Sequence, residues 1–318
     1  MSLNVAPMMA WTDRHCRYLH RLCAPQARLF TEMITTGALI NGPREALLAC
    51  NPAAQPVAIQ LGGADPQQMA IAAKLAAAAG FSEINLNVGC PSARVKRGSF
   101  GACLMRQPEL VADMVGAVRA VVDVPISVKC RLGVDNDDST FFLETFVGTV
   151  ANAGCNQFYV HARKAILNGL SPAQNRQIPP LQPERVYALK RKFPHLQICL
   201  NGGINDCRTA LEHLRHVDGI MIGRQAYRQP LFLNELTMQI HNSTGRTPWD
   251  IMRAYCLYIE HELSKGTRLH NMTRHCLSLF NGIAGARAFR RTLSDPQNLR
   301  KNDTSIIQLA LAELPQAA

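Results

Sequence analysis

Eight short β-rich runs, each followed by a stretch of helical periodicity, fill the first two-thirds of the chain and leave few folds open to it. They lie at 3–6, 29–31, 57–61, 83–87, 126–129, 158–161, 197–200 and 219–222. Strict alternation of strand and helix means parallel strands, because a parallel pair needs a crossover connection and cannot be closed by a hairpin. Eight such units over about 220 residues predict an α/β fold closed into a (β/α)8 TIM barrel, since an open doubly wound sheet seldom needs so many like units. The helix punctuation agrees. Asp65-Pro66 opens an Ala-rich run that ends at Gly80, and Asp206 precedes an apolar-periodic stretch closing near His216; both are N-terminal cap signals.

After residue 241 the texture changes. Asn242-Ser243-Thr244-Gly245-Arg246-Thr247-Pro248 is polar and turn-rich, and beyond it Ile251, Tyr255 and Ile259, then Leu277, Phe280 and Ile283, recur at helical spacing. The expected division is a barrel over 1–241 followed by a small all-helical domain over 242–318. No stretch approaches the roughly 18 consecutive apolar residues that a membrane span requires, and no basic-then-apolar leader opens the chain, so a soluble cytoplasmic protein is expected. The eleven cysteines contain no Cys-x-x-Cys pair, which argues against a zinc ribbon and against a disulfide framework. No metal site and no obligatory protein partner is implied.

The 34 Lys and Arg against 23 Asp and Glu leave a net charge of +11, a balance that favours a polyanionic partner through counterion release. Six basic residues, Arg274, Arg287, Arg290, Arg291, Arg300 and Lys301, fall between 274 and 301 against the single acid Asp295. Such a cluster is either a solvated helix face or a nucleic-acid footprint, and charge alone does not choose between them.

Polar residues gather at the C-terminal ends of the expected strands, where barrels build their active sites. Strand one ends in Pro7-Met8-Met9, strand three in Gln60, strand four in Asn85 to Cys90, strand five in Lys129 and Arg131, strand six in His161 and Arg163, strand seven in Asn201-Gly202-Gly203, and strand eight in Gly223-Arg224. Each has a plain structural reading by itself, but buried polar groups are costly unless something at the rim uses them. The glycines after strands seven and eight occupy the usual phosphate site of such barrels. With cationic Lys129 and the Gln60 amide they suggest a phosphorylated, redox-active ring such as FMN: Gln60 bonding its polar edge, Lys129 stabilising charge on reduction. Cys90, held between Gly89 and Pro91, sits on a rigid turn; Cys103 is the rival reactive thiol, and its apolar neighbours suit a packing role.

These residues together resemble the tRNA-dihydrouridine synthases, in particular their bacterial A-type branch. The likeness is carried by Ala6-Pro7-Met8-Met9, Gln60-Leu61-Gly62-Gly63, Asn85-Leu86-Asn87-Val88-Gly89-Cys90-Pro91-Ser92, Gly101-Ala102-Cys103-Leu104, Val128-Lys129 and Val160-His161-Ala162-Arg163-Lys164. It continues through Asn175-Arg176-Gln177-Ile178-Pro179-Pro180-Leu181, Asn201-Gly202-Gly203-Ile204 and Gly219-Ile220-Met221-Ile222-Gly223-Arg224, and so spans nearly the whole chain. The resemblance implies an FMN-binding barrel with a helical tRNA-binding domain. It implies FMN contacts from Pro7, Met8, Met9, Gln60, Lys129, His161, Asn201, Gly202, Gly203, Gly223 and Arg224. It also implies Cys90 as general acid, Asn87 positioning the base, and Arg176, Arg287, Arg290 and Arg291 holding tRNA. The reaction implied is NADPH-dependent: hydride passes from reduced FMN to C6 of a D-loop uridine near position 20/20a, and a proton from Cys90 to C5. The uridine must first be turned out of its stack.

One departure stands out. Ala10 lies where the family commonly carries Asp, so a polar contact is missing there. Two rival readings differ in kind: another FMN barrel reducing a small pyrimidine or enone, which leaves the basic helical tail without a task, and a non-catalytic RNA-binding protein on a retired barrel. No Gly-x-Gly-x-x-Gly fingerprint locates NADPH.

Overall fold

Strand β4 (Glu83–Val88) shows why this sequence builds a barrel. Glu83, Asn85 and Asn87 alternate with Ile84, Leu86 and Val88, and all six are buried. Both faces of the strand are therefore covered, one by helices and the other by a filled interior. In the computed structural model, which describes residues 1–92, 95 and 98–315, seven further strands join it: β1 (Ser2–Val5), β2 (Leu29–Thr35), β3 (Val57–Gly62), β5 (Ile126–Arg131), β6 (Gln157–His161), β7 (Gln197–Asn201) and β8 (Gly219–Ile222). All pair in parallel, in the order β1-β8-β7-β6-β5-β4-β3-β2. The ring closes between β1 and Arg28, just before β2: the Val5 N–H donates to the Arg28 carbonyl at 2.9 Å and the Arg28 N–H to the Leu3 carbonyl at 2.9 Å.

Each expected strand is present. Only β2 differs materially, running four residues past its expected end at 31 after a register shift between Phe30 and Met33. Polar Thr31 and Glu32 break the apolar run at that shift, and Met33 and Ile34 resume it. Inside the barrel, Ala6, Phe30, Ala58, Tyr159, Cys199 and Met221 form one buried apolar cluster, so the interior is a packed core rather than a pore. Outside it lie α2 (Thr36–Asn41), α3 (Arg44–Leu48), α4 (Pro66–Ala78), α5 (Pro108–Arg119), α6 (Thr140–Asn152), α7 (Pro183–Lys192) and α8 (Cys207–Leu214). Asp65 and Asp206 cap α4 and α8 by accepting from the Gln68 and Thr209 N–H groups, both at 2.8 Å, as their spacing required.

Contacts divide the chain into two units, Met1–Met9 with Arg28–Gly223, and Ala10–Ala27 with Arg224–Ala318. The second contains α1 (Arg14–Cys23), α9 (Arg224–Arg228), α10 (Leu231–His241), α11 (Pro248–Ser264), α12 (Leu269–Cys276), α13 (Ala286–Ser294), α14 (Pro296–Lys301) and α15 (Ser305–Leu311). Helix α1 belongs here because its buried Cys16, Leu19, His20 and Cys23 face α10, α11 and α12. The contact division thus differs from the expected boundary at 241/242. The polar stretch there is a turn folded back on α10: Asn234 donates to the Arg246 carbonyl at 3.1 Å and accepts from its N–H at 3.0 Å. The helical spacing of Leu277, Phe280 and Ile283 is a false signal. Residues 277–285 form turns, with Gly282 and Gly285 at φ of 88° and 80°, although Phe280 is buried all the same.

Candidate active site

The end of β4 feeds directly into the Cys90 turn, whose main chain is held from several sides. Asn87 Oδ1 accepts from the Gly89 and Cys90 N–H groups at 3.2 and 3.0 Å. The Gly89 carbonyl accepts from Arg131 Nε at 2.9 Å, and the Cys90 carbonyl from the Ala102 N–H at 3.0 Å. Gly101 has to be glycine: it sits at φ 75°, and a Cβ would lie 2.6 Å from the Cys90 carbonyl oxygen. The half-buried Cys90 thiol donates to Ser92 Oγ at 3.5 Å. Cys103 is committed elsewhere. Its thiol donates to the Phe100 carbonyl at 3.2 Å, and burial pushes its pKa up.

Register then brings the neighbouring rim residues together. Asn87 lies beside Lys129 on β5, Arg131 beside His161 on β6, and His161 beside Asn201 on β7. Lys129 Nζ donates to Asn201 Oδ1 at 3.0 Å, and Asn201 Nδ2 to the Met221 carbonyl at 2.7 Å. Burial, with Arg131 nearby, pushes Lys129 down to about 8. Burial likewise lowers Arg131 to about 10, and its Nη1 is spent on the Lys164 and Asn175 carbonyls, both at 3.0 Å. His161 is buried beside these cations and held well below the usual imidazole range, chiefly by desolvation, so it is neutral. Its Nδ1 is buried without a hydrogen-bond partner.

Gly202 and Gly203 follow at φ 111° and 73°. A Cβ on Gly202 would stand 3.1 Å from the His161 ring, and one on Gly203 would stand 2.3 Å from Leu181. Their backbone is bare for a physical reason. The arrangement is a mouth whose cations hydrogen-bond to neutral acceptors, with one orphaned imidazole nitrogen, a bare glycine pair and a thiol on a fixed turn. It suits an electron-rich, phosphate-bearing group.

Of the remaining expected residues, Gln60 is buried on β3, while Pro7 and Met8 are half-buried and Met9 is 59% exposed after β1. Gly223 ends the barrel unit, and Arg224 opens α9 in the second unit. Arg176, exposed, is the last residue of a short 3-10 turn. On α13, Arg287 and Arg291 are exposed, and half-buried Arg290 donates to Asn281 at 2.6 Å. The reading of strand ends missed Ser127, Glu83 and Arg28, which lie behind the rim and connect to it. For Glu83 and Ser127 the signal was the period-2 alternation of polar residues along β4 and β5; Arg28, just before β2, carried none.

A family model described as Dihydrouridine synthase (Dus) matches residues 4–314. The tRNA-dihydrouridine(20/20a) synthase of Vibrio cholerae serotype O1 is 52% identical over 316 residues, covering 98% of this chain and 96% of that protein. The protein of the same description from Escherichia coli strain K12 is 52% identical over 311 residues, covering 97% and 90%. Among solved structures, morphinone reductase superposes with a TM-score of 0.54 at 11% identity, covering 77% of this chain and 87% of that one, which speaks to the fold.

Proposed function

The chain belongs to the dihydrouridine synthase family, and from that premise we infer that its barrel mouth reduces uridine to 5,6-dihydrouridine in tRNA, at positions 20 and 20a. The observation that carries this reading is the convergence of the Cys90 turn with Lys129, His161 and Asn201 at one rim. The mouth fits FMN on its own chemistry, because a buried imidazole nitrogen lacks a partner and two glycines are kept free of side chains. Lys129, His161, Asn201, Gln60, the Pro7-Met8-Met9 segment and the Gly202-Gly203 backbone would hold it; Gly223 and Arg224 keep their phosphate role on the sequence match. When bound, FMN supplies the hydride for uracil C6, with NADPH as the ultimate reductant.

The protein's own residues do the rest. Asn87 fixes the Cys90 main chain, and the Cys90 thiol delivers a proton to C5 of the uracil. That role demands a thiol that starts protonated. Neutral His161 can donate or accept without adding to the positive charge of Lys129 and Arg131. Exposed Arg176, with Arg287, Arg290 and Arg291, serves tRNA phosphates. A tRNA substrate places the work in the cytoplasm, and no described helix is long and apolar enough to cross a membrane.

The test is dihydrouridine content in an unmodified tRNA incubated with the purified protein and NADPH, with the modified positions mapped. Product at 20 and 20a is expected; a flavin-loaded protein that yields none would overturn the reading in favour of a small-molecule reductase. Cys90→Ala should retain flavin, seen in the visible spectrum, and lose about a hundredfold or more in turnover, the usual worth of a positioned acid. Near-normal turnover would move the acid role to Cys103.

A further inference from the structure

A chain of buried side chains runs from the Cys90 turn into the barrel, and every bond in it points the same way. The Gly89 and Cys90 N–H groups donate to Asn87 Oδ1 at 3.2 and 3.0 Å. Asn87 Nδ2 donates to Gln60 Oε1 at 2.8 Å, Gln60 Nε2 to Asn85 Oδ1 at 2.7 Å, and Asn85 Nδ2 to Ser127 Oγ at 2.7 Å. Ser127 Oγ donates in turn to Glu83 Oε1, whose other oxygen is ion-paired with Arg28. All five side chains are buried.

An amide can be turned over, exchanging its donor and its acceptor, so the three amides by themselves do not fix the direction of the chain. Its ends do: backbone N–H groups can only donate, and a carboxylate can only accept. Burial pushes the Glu83 carboxyl up, against the pull of Arg28 beside it and the bond from Ser127.

We propose that Glu83 is a positioning residue for Cys90: its carboxylate sets the sense of this relay, and the relay holds the Asn87 oxygen toward the Cys90 main chain. Glu83 acts from about 13 Å down the strand, four residues at the usual rise. With a glutamine in its place the end of the chain can donate as well as accept. The inverted relay would turn Asn87 Nδ2 toward two N–H groups and leave both unpaired, at a cost that displaces the turn. The relay stands on geometry alone; its catalytic consequence rests on the reading of Cys90 as proton donor.

Ser127→Ala cuts the relay and spares the Arg28–Glu83 ion pair, which separates this role from the pair's own contribution to stability. Ser127→Thr restores a hydroxyl. Hydrogen–deuterium exchange at the Gly89 and Cys90 amides should be about tenfold faster in Ser127→Ala and in Glu83→Gln, the net worth of roughly one hydrogen bond. It should be unchanged on β7 and α5, and recovered in Ser127→Thr. Exchange unaltered at the turn, or raised equally throughout the barrel, would overturn the relay. Exchange needs no tRNA, so it decides the relay even if uridine reduction fails. In the tRNA reaction, kcat should fall about tenfold in Ser127→Ala at unchanged KM for tRNA; an unaltered kcat beside faster exchange would overturn the link to Cys90.

Discussion

At Ala10 the backbone turns at φ 62°, a left-handed conformation that costs an alanine about 1 kcal/mol and that glycine, asparagine and aspartate adopt more readily. The resemblance implies an Asp at this position, and Asp would suit the turn as well as supply a polar group. Ala10 is exposed. Ala10→Gly and Ala10→Asp should each raise the free energy of unfolding by about 0.5–1 kcal/mol, whereas Ala10→Val, β-branched and worse suited to positive φ, should lower it by more than about 1 kcal/mol. Urea unfolding with a common m-value checks this; no gain with Gly would mean that other contacts of Ala10 already meet the cost.

Helix α1 depends on one side chain more than on any other. Asp13 caps it by accepting from the His15 and Cys16 N–H groups at 3.0 and 2.9 Å, and it also pairs with Arg274 at 2.6 Å and His275 at 3.0 Å. Burial pushes its carboxyl up, but the hydrogen bond and charge of His275, the Cys16 N–H and Arg274 together hold it well below the usual carboxylate range. Asp13→Asn keeps a capping oxygen and loses the charge; Asp13→Ala loses both. The expected costs are about 2 and about 3 kcal/mol, from charged hydrogen bonds and a cap. Because the folded pKa is the lower one, this contribution is complete above the ordinary carboxylate value of 3.8 and is lost as the pH falls below it toward the folded value. The gap between wild type and Asp13→Asn in urea unfolding should therefore be full at about pH 6 and shrink below 3.8; a gap that widened in acid would sink the account. At this scale much of the fold was legible, since short, doubly buried strands such as β3 and β8 advertise themselves as apolar runs between turn signals. The allegiance of α1 was not, because it is settled by helices more than two hundred residues away in sequence. Nor were Gly282 and Gly285 weighed against the spacing that they interrupt. Residues at the strand ends pointed to the mouth, while Glu83 and Ser127, polar residues near the strand starts, sit at the far end from the mouth.

Taken whole, the molecule carries a net charge of +11, and what matters for a polyanion is where that charge is free to move. On α13, Phe289 and Leu293 are buried, whereas Arg287 and Arg291, four residues apart and so on one stripe, are exposed. Arg290 already serves Asn281 and has less to offer a phosphate. The exposed pair should therefore carry the larger share of this helix's counterion release. Arg287→Ala with Arg291→Ala should weaken tRNA binding and flatten the plot of log Kd against log salt by about 1.5, two contacts at 0.7–0.9 each, while Arg290→Ala changes it by less than one contact. The substituted residues lie outside the barrel unit, so flavin content and the thermal stability of the barrel should stay as they are. A salt slope unmoved by the double substitution would take α13 out of the tRNA interface, and would return its arginines to the alternative that the sequence left open, a solvated helix face.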